Sequence, residues 1–244
     1  MERNHGERVW VLHHHPFGDG SLILELFTEH HGRLGVLARG KRRSGRLEAG
    51  RPYWVRWAGH GELPVLQGAE ELPSPLTHCP VPALLLFYLN ELLLRLTERA
   101  DPQAEIFVEY SRTLHALAQG TEEYWLLRRF ERRLLEALGW AADLAYCAHC
   151  GIPLTDAESY ASAGAGMFCS LHRPALAQPL PLAALTWLAS DMQSAPERAL
   201  WGELRAYLAG ELDQTLAGRP LESRRLLAAY LQRRRGSNGG TGAR

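Results

Sequence analysis

Three cysteines and one histidine in the second half of the chain have the spacing of a metal site. Cys147 and Cys150 are separated by two residues, and Cys169 and His172 repeat that spacing after eighteen further residues. Two ligands three positions apart can bind one ion from a tight turn, so two such pairs complete a tetrahedral shell. The spacing predicts zinc in a structural role, because no coordination position stays open. His149 lies inside the first pair and remains an alternative fourth ligand.

Catalytic zinc is the competing interpretation of this cluster. Zinc deaminases combine H-x-E with a later P-C-x-x-C, and this chain contains His5-Gly6-Glu7 and His60-Gly61-Glu62. However, Tyr146 and not proline precedes Cys147, and four ligands already lie close together in the sequence. We therefore expect a structural metal and a protein that is not an enzyme.

Positive charge is concentrated in one segment of a chain whose formal net charge is zero. Residues 33–51 contain seven basic side chains and one acidic side chain, Glu48. Nucleic-acid backbones are the commonest partners of clustered arginine and lysine, and the planar fork of arginine fits phosphate oxygens. The segment predicts a nucleic-acid-binding loop, with a solvated loop as the alternative.

An aromatic strand follows this basic segment. In PYWVRW (52–57), side chains alternate between two faces, so Trp54 and Arg56 lie opposite Tyr53 and Val55. An exposed tryptophan beside an arginine could stack on a base, as in single-strand binders. Packing of Trp54 in the core or at the rim of the barrel is the alternative. The predicted nucleic-acid-binding residues are Arg33, Arg39, Lys41, Arg42, Arg43, Arg46, Arg51, Trp54 and Arg56.

Two further groups of arginines predict a partner surface or a second nucleic-acid surface. The first group has the spacing i, i+1, i+4, i+5 and therefore shares one side of a helix. The second group lies near the end of the chain. A solvated surface is the alternative for both groups. The residues are Arg128, Arg129, Arg132, Arg133, Arg219, Arg224 and Arg225.

The first 75 residues predict short strands and no helix. Turn residues separate five segments that are rich in apolar and β-branched residues. Five short strands in such a length favour a small closed Greek-key barrel, with the OB-fold as first choice and an SH3-like barrel as the competitor. The predicted strands are 7–14, 21–28, 32–40, 52–57 and 63–70.

The rest of the chain predicts helices. Four prolines in 72–82 indicate a boundary, and apolar residues from Leu84 to Leu96 then recur with a helical period. Two further helices are predicted at 102–120 and 121–139, with Thr121 as an N-cap. The fold class is α+β multidomain. We predict an OB-fold domain at 1–75, a helical domain at 76–145 and 176–235, an inserted zinc module at 146–175 and a disordered tail at 236–244.

The sequence favours a cytoplasmic location. The most apolar run, 81–96, contains Asn90, Glu91 and Arg95, so we expect no membrane span. The charged start MERNHGERVW lacks the apolar stretch of a signal peptide.

Several ordered motifs resemble the RecO family of recombination mediators. VWVLHHHPFGDGSLILELFTEHHGRLGVLARGKRR resembles the opening of the family, with its strand ending in FTE and its basic loop. The helical motifs YLNELLLRL (88–96) and LRRFERRLLEALGW (127–140) follow, and GRPLESR (218–224) resembles a late family segment. The resemblance covers nearly the whole chain in the same order.

This resemblance implies a function in DNA repair and recombination. RecO-like proteins bind single- and double-stranded DNA, anneal complementary strands and, with RecR, help to load RecA onto DNA coated by single-strand-binding protein. A nucleoid-associated cytoplasmic protein would be expected. Many members have four cysteine ligands, whereas His172 takes the fourth place here. The alternative function is an RNA-binding OB-fold and zinc module in translation or RNA processing.

Overall fold

The protein was analysed as a computed structural model, which describes residues 6–18, 20–40, 47–59, 61, 63–155, 159–227 and 229–230. It forms two compact units. The first runs to Thr121 and resumes at Leu221, and the second is Glu122–Pro220. Among the described residues, no helix is long and apolar enough to cross a membrane.

A closed five-stranded barrel begins the first unit. Its strands are β1 (Glu7–Phe17), β2 (Ser21–Thr28), β3 (Gly32–Ala38), β4 (Pro52–Ala58) and β5 (Val65–Glu71). They follow one another in the order β1-β2-β3-β5-β4 around the barrel. The pairings are antiparallel except for β3 with β5, where Leu37 lies opposite Val65 in a parallel arrangement. The predicted OB-type barrel is therefore confirmed, and the SH3-like alternative is not supported.

Alternation along the strands fills the barrel. In β4, Tyr53 and Val55 are buried, whereas Trp54 and Arg56 are exposed on the outer face. Trp54 therefore lies on the outer face, where its indole is 44% exposed. The barrel core consists of Val9, Val11, Leu24, Leu26, Val36, Ala38, Leu47, Tyr53, Val55 and Leu66.

Helices and a small sheet follow the barrel. The predicted helices are present with shorter bounds, and Thr121 is not an N-cap, because the third helix begins only at Glu123 and Glu122 occupies the cap position. The elements are α1 (Ala83–Leu96), α2 (Ala104–Ala118), α3 (Glu123–Ala137), β6 (Ser159–Ser162), β7 (Gly166–Cys169), β8 (Gln178–Leu180), α4 (Leu182–Ala189) and α5 (Trp201–Thr215). Residues 222–227 are also helical.

Buried polar side chains join α1 and α2 to the barrel. The Asn90 side-chain amide donates to the Leu12 carbonyl at 2.8 Å and accepts from the Tyr110 hydroxyl. Burial raises the pKa of Tyr110, which keeps it a donor. The Trp10 indole donates to Ser111 at 2.8 Å. These bonds join the helices that follow residue 75 to the barrel within the first compact unit.

Glu91 joins α1 to the last described helix of the same unit. Its two carboxylate oxygens accept the backbone N–H groups of Glu222 and Ser223, each at 2.9 Å, and the Ser223 hydroxyl. The first N–H groups of a helix have no partner within it, and a carboxylate there also interacts favourably with the helix dipole. Glu91 therefore stabilises the start of the helical segment 222–227.

We expect Glu91→Gln to lower the free energy of unfolding by about 1–3 kcal/mol, because charge-assisted bonds to a buried group are lost. Urea denaturation measures the change. The control is Glu98→Gln, which neutralises an exposed carboxylate just beyond the same helix. Equal losses in the two variants would contradict the capping role of Glu91.

Candidate functional site

Cys147, Cys150, Cys169 and His172 come together in the second unit. Their ligand atoms all lie within 4.8 Å of one another, so the cluster could hold a metal ion. Cys147 and Cys169 are buried and Cys150 is exposed. The imidazole Nδ1 of His172 lies 3.3 Å from the sulfur of Cys169. The two sequence pairs therefore form one cluster, as the spacing predicts.

Tight turns place the first pair of ligands. Gly151 has φ 70°, a left-handed conformation that suits glycine, and donates its N–H to the Cys147 carbonyl at 2.8 Å. Cys147 in turn donates to the Ile152 carbonyl at 2.9 Å. The bond from the Ala148 N–H to the Met167 carbonyl, 2.8 Å, holds this turn against β7.

A small sheet and a short helical turn place the second pair. The sheet has the order β7-β6-β8, and Cys169 is the last residue of β7. The 3₁₀ turn Ser170–His172 then brings His172 back to the cluster. Sequence reasoning predicted the ligands here but not these three strands, which are only three or four residues long.

Backbone amides stabilise the thiolate form of Cys147 in the cluster. Burial alone would raise the pKa of Cys147, but the N–H groups of Cys169, Cys150 and His149 donate to its sulfur and lower the pKa to about 6. At Cys150 an amide lowers the pKa, whereas burial and the neighbouring thiols outweigh it and raise the value overall. These amides favour the thiolate form of Cys147, and binding of a metal would release the thiol protons that remain in the cluster.

The geometry favours His172 over His149 as the fourth ligand. His172 belongs to the cluster, whereas the His149 ring stacks on the His172 ring with 4.3 Å between centroids. Glu7 is the one titratable residue of the two H-x-E matches that the structure describes. Glu7 accepts hydrogen bonds from the His30 N–H at 3.0 Å and from His31 Nδ1 at 2.7 Å. The other titratable members, His5, His60 and Glu62, lie outside the described residues.

The predicted nucleic-acid-binding residues divide into three groups. Arg39, Trp54 and Arg56 are exposed. Two others, Arg33 and Arg51, have carboxylate partners. The remaining four lie outside the described residues: Lys41, Arg42, Arg43 and Arg46.

Arg33 and Arg51 have carboxylate partners within the fold, and their contact with nucleic acid stays a prediction. Arg33 contacts Glu25 at 3.1 Å and donates to the Thr97 carbonyl at 3.0 Å. Burial lowers its pKa. Arg51 contacts Glu48 and Glu71, each at 2.9 Å. Glu25 and Glu71 reach these arginines through the fold of the barrel, whereas Glu48 is only three positions from Arg51.

The prediction of an exposed second basic surface is corrected at its helical arginines. Arg128, Arg129 and Arg132 are buried and do not form an exposed face. Arg128 pairs with Glu131, and Arg132 contacts Glu136 at 2.7 Å and the Ala142 carbonyl at 3.3 Å. Glutamates three or four residues away neutralise this side of α3, which packs against α5.

The remaining members of the second basic surface keep some exposure. Arg133 is about one-third exposed and contacts Glu136 at 2.9 Å. Arg219 and Arg225 are exposed, and Arg224 is half-buried. Of the seven arginines, four therefore remain available as candidates for contact with a partner.

The fold and the cluster define a class of protein in which an OB-type barrel is combined with helices and a cysteine- and histidine-containing metal module. Two family descriptions match the chain: Recombination protein O N terminal over residues 1–74, and Recombination protein O C terminal over residues 83–225. The chain belongs to the RecO family.

Full-length relatives agree with this family. A protein named DNA repair protein RecO from Acidithiobacillus ferrooxidans is 54% identical over 240 residues, which cover 96% of this chain and 94% of the relative. A protein of the same name from Photobacterium profundum is 34% identical over 237 residues, covering 90% and 94%. The Yersinia enterocolitica protein of that name is 35% identical over 240 residues, covering 92% and 95%.

We expect Cys147→Ser to lose metal and to destabilise the second unit, because the thiolate that the amides stabilise is removed. Metal analysis of the purified protein and thermal unfolding with and without a chelator measure both effects. His149→Ala is the matched control, since it removes the neighbouring ring and keeps all four cluster residues. A Cys147→Ser protein with wild-type melting and metal content would contradict the assignment.

Proposed function

We propose that the protein is a non-enzymatic DNA repair and recombination mediator that binds single- and double-stranded DNA and anneals complementary strands. The observation that carries this proposal is the exposed pair Trp54 and Arg56 on the outer face of an OB-type barrel. The basic segment around Lys41 lies next in the sequence. Family membership and relatives that are named as DNA repair proteins support the same function.

Electrostatics can explain annealing without a nucleotide. Two DNA strands repel each other through their phosphates, and bound arginine and lysine reduce that repulsion while they release counterions. Arg39 is exposed at the end of β3, directly before the segment 41–46, which contains four more basic residues. One strand held there could pair with a second strand held elsewhere on the protein. No group transfer is needed for this activity.

Zinc is the metal that we propose for the cluster. Three thiolates and one imidazole are a ligand set that zinc prefers, in tetrahedral geometry. Cys147, Cys150, Cys169 and His172 would hold the ion. The metal would supply no reaction chemistry and would clamp the turn before Gly151 to the turn after β7, so that its binding energy adds to folding.

RecR, single-strand-binding protein and, indirectly, RecA are the proposed partners. The family resemblance suggests that the helical part of the chain binds the acidic tail of single-strand-binding protein. After the correction of the buried arginines, the residues to test are Arg133, Arg219, Arg224 and Arg225. The proposed place of action is the nucleoid within the cytoplasm.

The alternative of RNA binding in translation is less well supported, because the relatives are named as DNA repair proteins. A barrel with a basic segment could contact either nucleic acid. Acceleration of annealing of complementary DNA strands distinguishes the two functions.

We expect Arg42→Glu combined with Arg43→Glu to weaken binding of single-stranded DNA. If each arginine contacts one phosphate, the slope of log affinity against log salt should become shallower by about 1.4, since each contact on a single strand contributes about 0.7. Fluorescence anisotropy with an oligothymidylate at several salt concentrations measures the slope. Annealing by the wild-type protein should proceed without ATP.

The matched control reverses two charges outside the predicted interface, Arg95→Glu and Arg112→Glu, on α1 and α2. This control should keep the wild-type salt dependence. If both double variants bind as the wild type does, the basic segment is not part of the DNA interface.

A further inference from the structure

Two glycines flank Arg56 on the outer face of the barrel. Gly68 of β5 is the direct cross-strand partner of Arg56. On the other side of β4, Glu7 pairs with Val55, so Gly6 lies one position further along, beside Arg56. Both cross-strand neighbours of Arg56 are therefore glycines, which leave the surface of the sheet on either side of it uncovered.

The side chains of Trp54 and Arg56 occupy the space above these glycines. A Cβ atom at Gly6 would lie 2.2 Å from Nε1 of Trp54 and 2.9 Å from Cγ of Arg56. A Cβ atom at Gly68 would lie 3.1, 3.6 and 3.7 Å from Nη2, Nε and Cζ of Arg56. Three guanidinium atoms at similar distances from one point indicate a group that lies over Gly68 and not upright from the sheet.

Neither the Trp54 indole nor the Arg56 guanidinium has a hydrogen-bond or ion-pair partner among the residues that the structure describes. Other arginines of the barrel are paired with carboxylates: Arg8 with Glu29, Arg33 with Glu25. No such pair involves Arg56 among the residues that the structure describes, and its side chain is exposed. Trp54 is 44% exposed. Two planar groups thus lie beside each other with free surface.

We propose that Gly6 and Gly68 form the floor of a stacking platform on which Trp54 and Arg56 each hold one nucleobase of a single strand. Indole rings and guanidinium planes both stack on bases. Residues two apart on a strand are separated by about 6.6 Å, which places the two groups side by side for consecutive bases of an extended strand. The inference rests on the proposed DNA-binding function.

The platform would select single strands. In a duplex the faces of the bases are stacked on their neighbours, so only a single strand can offer them to an indole or a guanidinium. The basic segment 41–46 would contact phosphates, which both forms of DNA present. The segment 41–46 would therefore contribute affinity for any DNA backbone, and the platform would contribute a preference for unpaired bases.

The first experiment compares two oligonucleotides of equal length and charge, an oligothymidylate and the same backbone with abasic sites. Wild-type protein should bind the abasic strand roughly tenfold more weakly, a difference of about 1.4 kcal/mol. Trp54→Ala should lower affinity for the thymidylate strand and should distinguish the two strands less than the wild type does, since only Arg56 would still stack on a base. The salt dependence should stay unchanged, since no phosphate contact is lost.

The second experiment tests the floor. Gly6→Ala and Gly68→Ala should each weaken thymidylate binding several-fold while abasic binding and the melting temperature stay at the wild-type value, because the added methyl group displaces Trp54 or Arg56. Gly202→Ala is the control, since a Cβ there meets no atom within 4 Å.

Two outcomes separate the platform from the proposed function. If the wild-type protein binds both strands equally well, DNA binding stands and the platform is wrong. If it binds neither strand, the proposed function fails. If Gly6→Ala and Gly68→Ala both distinguish the thymidylate strand from the abasic strand as well as the wild type does, the two glycines do not form the floor of the platform.

Discussion

The first unit depends on two adjacent polar residues buried on one helix. Asn90 connects α1 to a barrel carbonyl and to Tyr110 of α2, and Glu91 holds the backbone of Ser223. Buried polar groups are costly unless they are bonded, so each side chain specifies the position of its partners. Glu91 and Ser223 belong to the motifs YLNELLLRL and GRPLESR, which are far apart in the sequence. The contact between Glu91 and Ser223 therefore brings these two distant motifs together in the fold.

The sequence alone predicted features that depend on residues close together in the chain. Alternation in PYWVRW separated Tyr53 and Val55 from Trp54 and Arg56, because successive side chains of a strand face opposite ways. The spacing of Cys147 and Cys150, followed by Gly151, predicted a turn that can grip an ion. Both features involve residues within a few positions of one another, so no tertiary information was needed.

Tertiary partners escaped prediction, above all at the arginines. Arg51 was counted as free charge, but its partner Glu71 lies on a neighbouring strand twenty positions later. Arg132 has the spacing of an exposed helix face, yet α3 packs against α5 and buries it. A helical period shows which residues share a side of a helix, and it does not show what covers that side. The pairing of Arg51 with Glu71 becomes visible only when the strand register is known, and the burial of Arg132 only when the helix packing is known.

This pairing has a consequence for how the barrel could bind DNA. Since Arg8, Arg33 and Arg51 are held by glutamates, the regular strands contribute little net positive charge. Attraction to phosphates must then come mainly from exposed residues such as Arg39 and from the segment that follows it. Salt would weaken that attraction, because exposed charges are screened. Stacking on Trp54 is not an ionic contact, so its share of the binding free energy should persist at salt concentrations where phosphate contacts have become weak.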